Sequence, residues 1–224
     1  MPDDFVVLSD IDPSITIHIR YATNDNFLGR PVTGYKDKNK TVCTRKAALA
    51  LKAAHNELKQ HGYRLVVYDA YRPQRAADEF MDWRKNSNDQ CMKQQYYPTI
   101  DKVDVLKKGY VADRSGHSRG SAFDLTIIEL SKELTPIMYS KRTLTNGEKV
   151  PFLDDNTVDM GSSFDLFHSV SHHETSLIEL TFLERRNFLR AIMKKHGFKG
   201  YSGEWWHYIL KDEPYTEKYF DFVV

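Results

Sequence analysis

Hydrophobic spacing divides the chain into short patterned segments separated by polar loops. Ala47, Ala48, Leu51, Ala54 and Leu58 recur at intervals of one, three and four, the signature of one buried helical stripe. Thr44 stands where an N-cap is needed and Gly62 where such a helix would stop, so a helix is predicted between them. The following run Tyr63-Arg-Leu-Val-Val-Tyr68 is rich in β-formers and reads as a buried strand. It leads into a loop carrying Asp69-Ala-Tyr-Arg-Pro73. A second helix is predicted after Pro73, through Phe80 and Trp83. Ala122-Phe-Asp-Leu-Thr-Ile-Ile128 alternates and predicts a strand, entered through the glycine-containing loop 115–120. Thr181-x-x-Glu184 has the form of a capping box for a helix carrying Phe188, Leu189, Ile192 and Met193, ended by Gly197. The last strand predicted is Glu204 to Leu210.

The remaining stretches are less regular. Residues 14–45 hold two short extended pieces within loops rich in Asn, Gly and Pro, and 96–113 follow no clear period. Residues 131–175 read as one long connection with turns at Asn146-Gly147 and Asp154-Asp155, a length that usually belongs to a binding site or lid. Helices and strands interleave without a βαβ rhythm. The expected class is therefore α+β, a single domain over 1–224 with a mainly antiparallel central sheet flanked by helices.

Composition narrows the function classes. A chain of 224 residues suits one large domain with a substantial core. Its 32 Lys+Arg balance 31 Asp+Glu, which leaves no electrostatic footprint for nucleic acid or an anionic membrane. Apolar runs are too short to cross a bilayer, and the acidic start Met-Pro-Asp-Asp-Phe has no signal-peptide pattern. A cytoplasmic location is expected, or a periplasmic one if an export signal has been trimmed. Cys43 and Cys91 are read as two unrelated reduced thiols rather than a bridge.

The chemistry lies in two distant stretches, His117-Ser-Arg-Gly-Ser-Ala-Phe-Asp124 and Glu204-Trp-Trp-His207. Together they offer two imidazoles, one carboxylate ligand and a spare carboxylate. That inventory suits a hydrolytic zinc site with three protein ligands, an open position and a base beside it. Side chains alternate along a strand, so a spacing of seven cannot put His117 and Asp124 on one face unless the loop turns His117 back. Gly116 and Gly120 make that turn feasible. His207 would arrive from the neighbouring C-terminal strand. Any one of these residues alone reads as an ordinary surface or core residue; the combination carries the site. His18, His55, His61, His168, His172, His173 and His196 lie in amphipathic helices or polar loops and read as ordinary. Two histidines and a carboxylate also describe the facial triad of non-haem iron oxygenases, whose first histidine and carboxylate usually stand two apart. A glutamate three before the last ligand has a use in hydrolysis and none in oxygen activation, so zinc hydrolysis is favoured, in a cleft on the sheet.

Ser115-x-His117-x-x-Gly120-x-Ala122-x-Asp124 with Glu204-x-Trp206-His207 resembles the zinc D-alanyl-D-alanine peptidases, and within them the D-Ala-D-Ala dipeptidases of the VanX type (peptidase family M15). Ile19 through Tyr35, Tyr68-Asp-Ala-Tyr-Arg-Pro-Gln74, Lys108-Gly-Tyr-Val-Ala112, Met160-Gly-Ser-Ser-Phe-Asp165, Asp212-Glu-Pro-Tyr215 and Tyr219-Phe-Asp-Phe222 extend the likeness over nearly the whole chain. The resemblance implies one Zn2+ per subunit on His117, Asp124 and His207. It makes Glu204 the general base toward a metal-activated water and Arg72 the cation for the oxyanion. Asp165 becomes the anchor for the substrate ammonium, with Asp159 its local competitor and Ser115 and Tyr35 further substrate contacts. The expected partner is a small dipeptide, and the assembly considered is a homodimer. A D,D-carboxypeptidase or stem-peptide endopeptidase keeps the chemistry with another substrate, and a non-catalytic zinc-binding module would need neither Glu204 nor Arg72. Between Asp124 and Asp165 the chain carries Tyr139-Ser-Lys-Arg-Thr-Leu-Thr-Asn-Gly-Glu-Lys149 as apparent extra sequence, expected to reshape access if it borders the cleft.

Overall fold

The computed structural model describes all 224 residues. In chain order the elements begin with β1 (Phe5–Val7), α1 (Leu8–Ile11), β2 (Thr16–Ile17) and β3 (Val42–Thr44). They continue with α2 (Arg45–Gln60), β4 (Tyr63–Asp69), α3 (Gln74–Lys85) and α4 (Lys93–Tyr96). The second half holds β5 (Ala122–Glu129), β6 (Met138–Thr143), β7 (Lys149–Asp154), α5 (Leu180–Lys195), β8 (Phe198–Tyr201) and β9 (Glu204–Leu210). The class is the expected α+β. The central sheet has the order β2-β4-β5-β9-β8, and only its β2–β4 edge is parallel.

Helix α2 forms as the sequence predicts. The Thr44 hydroxyl accepts the Ala47 N–H at 3.4 Å, and the stripe Ala47, Ala48, Leu51, Ala54 and Leu58 is buried. Gly62 closes it in the left-handed conformation, φ +85°. Leu65 and Val67 of β4 and Phe123, Leu125 and Ile127 of β5 join that stripe and Leu189, Ile192 and Met193 of α5 in the main core. The intervening residues point to the opposite face. There Val66, Tyr68 and Ile128 form a separate small cluster beside Phe164.

The structure corrects two expectations. α5 begins at Leu180, so Thr181 lies inside its first turn and Glu179 occupies the N-cap position without a side-chain bond; the capping box is not used. The helix is oriented instead by burial of Leu189, Ile192 and Met193. Residues 131–175 are not an unstructured connection, because β6 and β7 pair antiparallel as a hairpin. Asn146-Gly147 forms its turn as expected, with Gly147 at φ +86°. Strand β8, which the residue pattern does not single out, completes the sheet edge. Cys43 is buried, Cys91 is exposed and both are free thiols. No helix is long and apolar enough to cross a membrane.

Candidate metal centre and cleft

Three strands bring acidic and imidazole side chains into one row. Asp124 of β5 is the register partner of His207 on β9 and of Asp69 on β4. The Asp69 pairing depends on a β-bulge. Val67 faces Leu125, so an unbroken ladder would set Tyr68 opposite Asp124; the register shift between Val67 and Asp69 puts Asp69 there instead. Glu204 and His207 are three apart and would lie on opposite faces of a straight strand. The β8–β9 pairing jumps from Gly200–Tyr208 to Tyr201–Glu204, and this irregularity brings the Glu204 carboxylate to 4.0 Å from His207 Nδ1.

His117 is turned back over the strand as its spacing requires. Gly116–Arg119 is a single 3-10 turn, with Ser115 Oγ accepting the His117 N–H at 3.2 Å. Gly120 ends the turn at φ +83°, and a Cβ there would stand 2.3 Å from the Phe5 ring, so only glycine fits. The C-terminal segment holds the turn in place: the Phe220 N–H donates to Ser118 O at 2.9 Å, and Arg119 pairs with Glu213 at 2.8 Å. It also holds the Arg72 loop, where Phe222 stacks on Tyr71 at 4.1 Å and Gln74 N–H donates to Phe220 O at 2.9 Å.

The result is one convergent donor set. His117 Nε2 lies 3.1 Å from His207 Nδ1 and 3.3 Å from Asp124 Oδ2, and His207 Nδ1 lies 2.9 Å from Asp124 Oδ1. No other cluster of His, Cys, Asp or Glu in the molecule meets the geometry of a metal site. His117 Nδ1 donates to Ala70 O at 2.7 Å, which commits its proton and leaves the Nε2 lone pair facing the set. Two ring nitrogens and a carboxylate aimed at one point fit a divalent cation, whose charge would offset their crowding. Four of the seven remaining histidines are otherwise engaged: His55 with Asp12, His168 with Glu148, His173 with Asn187 and His196 with Glu57.

The electrostatics separate the carboxylates. Burial alone would raise Asp124, but His117 and His207 hold it well below the usual carboxylate range. Burial and the charges of Asp124 and Asp165 push Glu204 well above that range. Burial, with Asp124 adding to it, pushes Asp165 up to about 7 although Tyr21 donates to its Oδ2 at 2.8 Å. Asp165 sits in the left-handed region at φ +62°, on a loop fixed by the fully buried Arg186. That guanidinium donates to the carbonyls of Met160 and His172, both at 2.7 Å, to Val170 O at 3.0 Å and to Ser162 Oγ at 3.1 Å.

The cleft over this row has a volume of ≈ 370 Å³, within the range for a small ligand. Arg72, Ser115, His117, Asp124, Asp165, Glu204 and His207 all line it. Tyr35 does not: it is buried and its hydroxyl donates to Asp69 Oδ1 at 2.9 Å. Asp159 lies outside the cleft, paired with Arg142 of β6. No residue of the β6–β7 hairpin lines the cleft, so the extra sequence does not border it. Sequence reasoning missed Asp69, which receives Arg72 Nε at 3.0 Å and Nη2 at 2.9 Å and so aims that guanidinium at the cleft. It also missed Arg186. The bulge behind the first and the folded loop behind the second leave no periodic trace.

The family model described as D-Ala-D-Ala dipeptidase, peptidase M15, matches residues 1–137 and 151–224. It passes over 138–150, the interval that encloses the apparent extra sequence. A D-alanyl-D-alanine dipeptidase of Enterococcus faecium is 41% identical over 220 residues, covering 98% of each chain. Proteins of the same name from Enterococcus faecalis and Streptomyces coelicolor are 39% and 38% identical, each over 224 residues and all of both chains.

Proposed function

Since the chain belongs to the M15 family of D-Ala-D-Ala dipeptidases, we propose that it hydrolyses D-alanyl-D-alanine to two D-alanines. Residues 1–224 act as one catalytic unit. His117, Asp124 and His207 hold one zinc ion. The observation that carries this reading is the convergence of these three side chains with Glu204 at its edge. When bound, zinc supplies Lewis acidity and lowers the pKa of water toward neutrality.

The chain's own residues do the rest. Glu204 accepts a proton from the attacking water and delivers it to the leaving amine nitrogen as the C–N bond breaks. Its raised pKa suits a group that must hold the proton between those two events. Arg72 faces the negative charge developing on the carbonyl oxygen. Its guanidinium is pinned by Asp69 and by Asp124 at 3.4 Å and lies over the rings of Tyr21 and Phe80, so little reorganisation is needed. Asp165, steadied by Tyr21, receives the free ammonium group, whose positive charge favours the ionised carboxylate, and Ser115 lines the same cleft. An ammonium anchor beside the reacting carbonyl favours a dipeptide over a longer chain, whose free amine lies too far away.

Steady-state turnover of D-Ala-D-Ala and of a stem pentapeptide, with zinc supplied, tests the substrate. The expected result is turnover of the dipeptide and little of the pentapeptide. Turnover of the pentapeptide alone would replace this reading with a D,D-carboxypeptidase.

A further inference from the structure

A dipeptide is a zwitterion, and Asp165 answers only its ammonium end. The carboxylate end needs a cation or a set of donors in the same cleft. Two cationic side chains line that cleft, Arg72 and Arg114. Arg72 is already bound to Asp69 and Asp124. The Arg114 guanidinium has no hydrogen bond and no ion pair within the chain. Its backbone N–H donates to Asp113 Oδ1 at 2.9 Å, and its head rests on the Tyr219 ring at 5.3 Å.

The contrast with Arg119 sharpens this. Both guanidinium groups lie over the ring of Tyr219, Arg119 at 5.7 Å, but Arg119 is neutralised by Glu213 at 2.8 Å. Arg114 keeps its charge and its donors available while the ring limits where the head can go. Its backbone adjoins Ser115, the cap of the His117 turn, which sets its base beside the metal centre. We propose that Arg114 binds the C-terminal carboxylate of the substrate, with Tyr219 as its support. Arg114 and Asp165 then fix the two ends of the dipeptide, and the distance between them selects its length. This rests on the dipeptidase reading above.

The test compares D-Ala-D-Ala with its C-terminal amide, using full-length zinc-loaded protein. Wild type is expected to favour the free acid in kcat/KM by about tenfold to a hundredfold, the worth of one hydrogen-bonded charge pair. In Arg114→Gln the preference falls to within about threefold, carried by a higher KM for the acid, and Arg114→Lys retains part of it. Arg114 is solvent-exposed, so the variants fold; unchanged zinc content and melting temperature verify that. Lys108, which lines the adjoining pocket with Arg190, is the control, and Lys108→Ala keeps the wild-type preference. Turnover with an unchanged acid-to-amide ratio in Arg114→Gln overturns the proposal alone, as does loss of the ratio in Lys108→Ala. A wild type that turns over neither acid nor amide overturns the dipeptidase reading and this proposal with it.

Discussion

The metal side of the cleft is built on strands, where Asp69, Asp124 and His207 sit in register across β4, β5 and β9. The opposite side, which carries Asp165, is a loop held to the body by Arg186, whose donors reach three carbonyls and one hydroxyl. On the strands, each side chain is fixed by a backbone ladder that many residues share, and two irregularities re-aim Asp69 and Glu204. On the loop, one buried cation replaces the ladder. Burial lowers the pKa of Arg186 to about 9, and no carboxylate pairs with it. A polar hub of that kind concentrates in one residue what the sheet distributes over three strands. Two of the three proposed metal ligands, Asp124 and His207, stand on the first kind of support with His117 on a turn beside them, and the proposed ammonium anchor stands on the second.

The largest effect separates chemistry from scaffold on the strand side. Glu204→Gln keeps the row and the proposed metal ligands and removes the proposed proton carrier. The expected loss in kcat is about 10²- to 10⁴-fold, with metal content after dialysis equal to wild type. Retention of more than about a tenth of wild-type turnover would remove Glu204 from the proton path that such losses define.

A smaller and different effect is expected on the loop side. Arg186→Met fills similar space but leaves the carbonyls of Met160, Val170 and His172 without their donor. Urea unfolding should show a loss of about 2–4 kcal/mol, since several buried acceptors go unpaired. KM should rise roughly tenfold as Asp165 loses its fixed position, the scale of one charged hydrogen bond, while zinc content stays normal. A destabilised variant with wild-type KM would show that Arg186 supports the fold without positioning Asp165.

The same contrast explains which features were legible in the sequence. α2, α3, β4, β5 and β9 were readable because their apolar residues repeat with the period of the element and bury one face. His117, Asp124, Glu204 and His207 were readable because few other roles need those residue types together. β8 is four residues long with only Phe198 buried, and β6 is exposed along almost its whole length, so neither has a two-residue alternation to read. The bulge that replaces Tyr68 with Asp69 depends on how β4 meets β5, a property of two strands that neither sequence carries alone. Tyr35 illustrates the limit: its place in a matching motif marked it for the site, and only the fold shows its hydroxyl on Asp69 behind Arg72.

The smallest effect tests whether the hairpin belongs to either wall. Arg142 of β6 pairs with Asp159 and lies 3.7 Å from the centre of the Phe152 ring, joining the hairpin to the start of the Asp165 loop. Its side chain is 19% exposed and that of Asp159 30%, so solvent partly screens the pair. Arg142→Ala should therefore cost about 0–1 kcal/mol of stability. Because Arg186 holds the loop from the other side, KM for the dipeptide should stay within about twofold, well under the tenfold that 1.4 kcal/mol would give. A KM shift as large as that of Arg186→Met would make the hairpin part of the recognition wall, coupling the interval 138–150 that the family model passes over to substrate binding through Asp159.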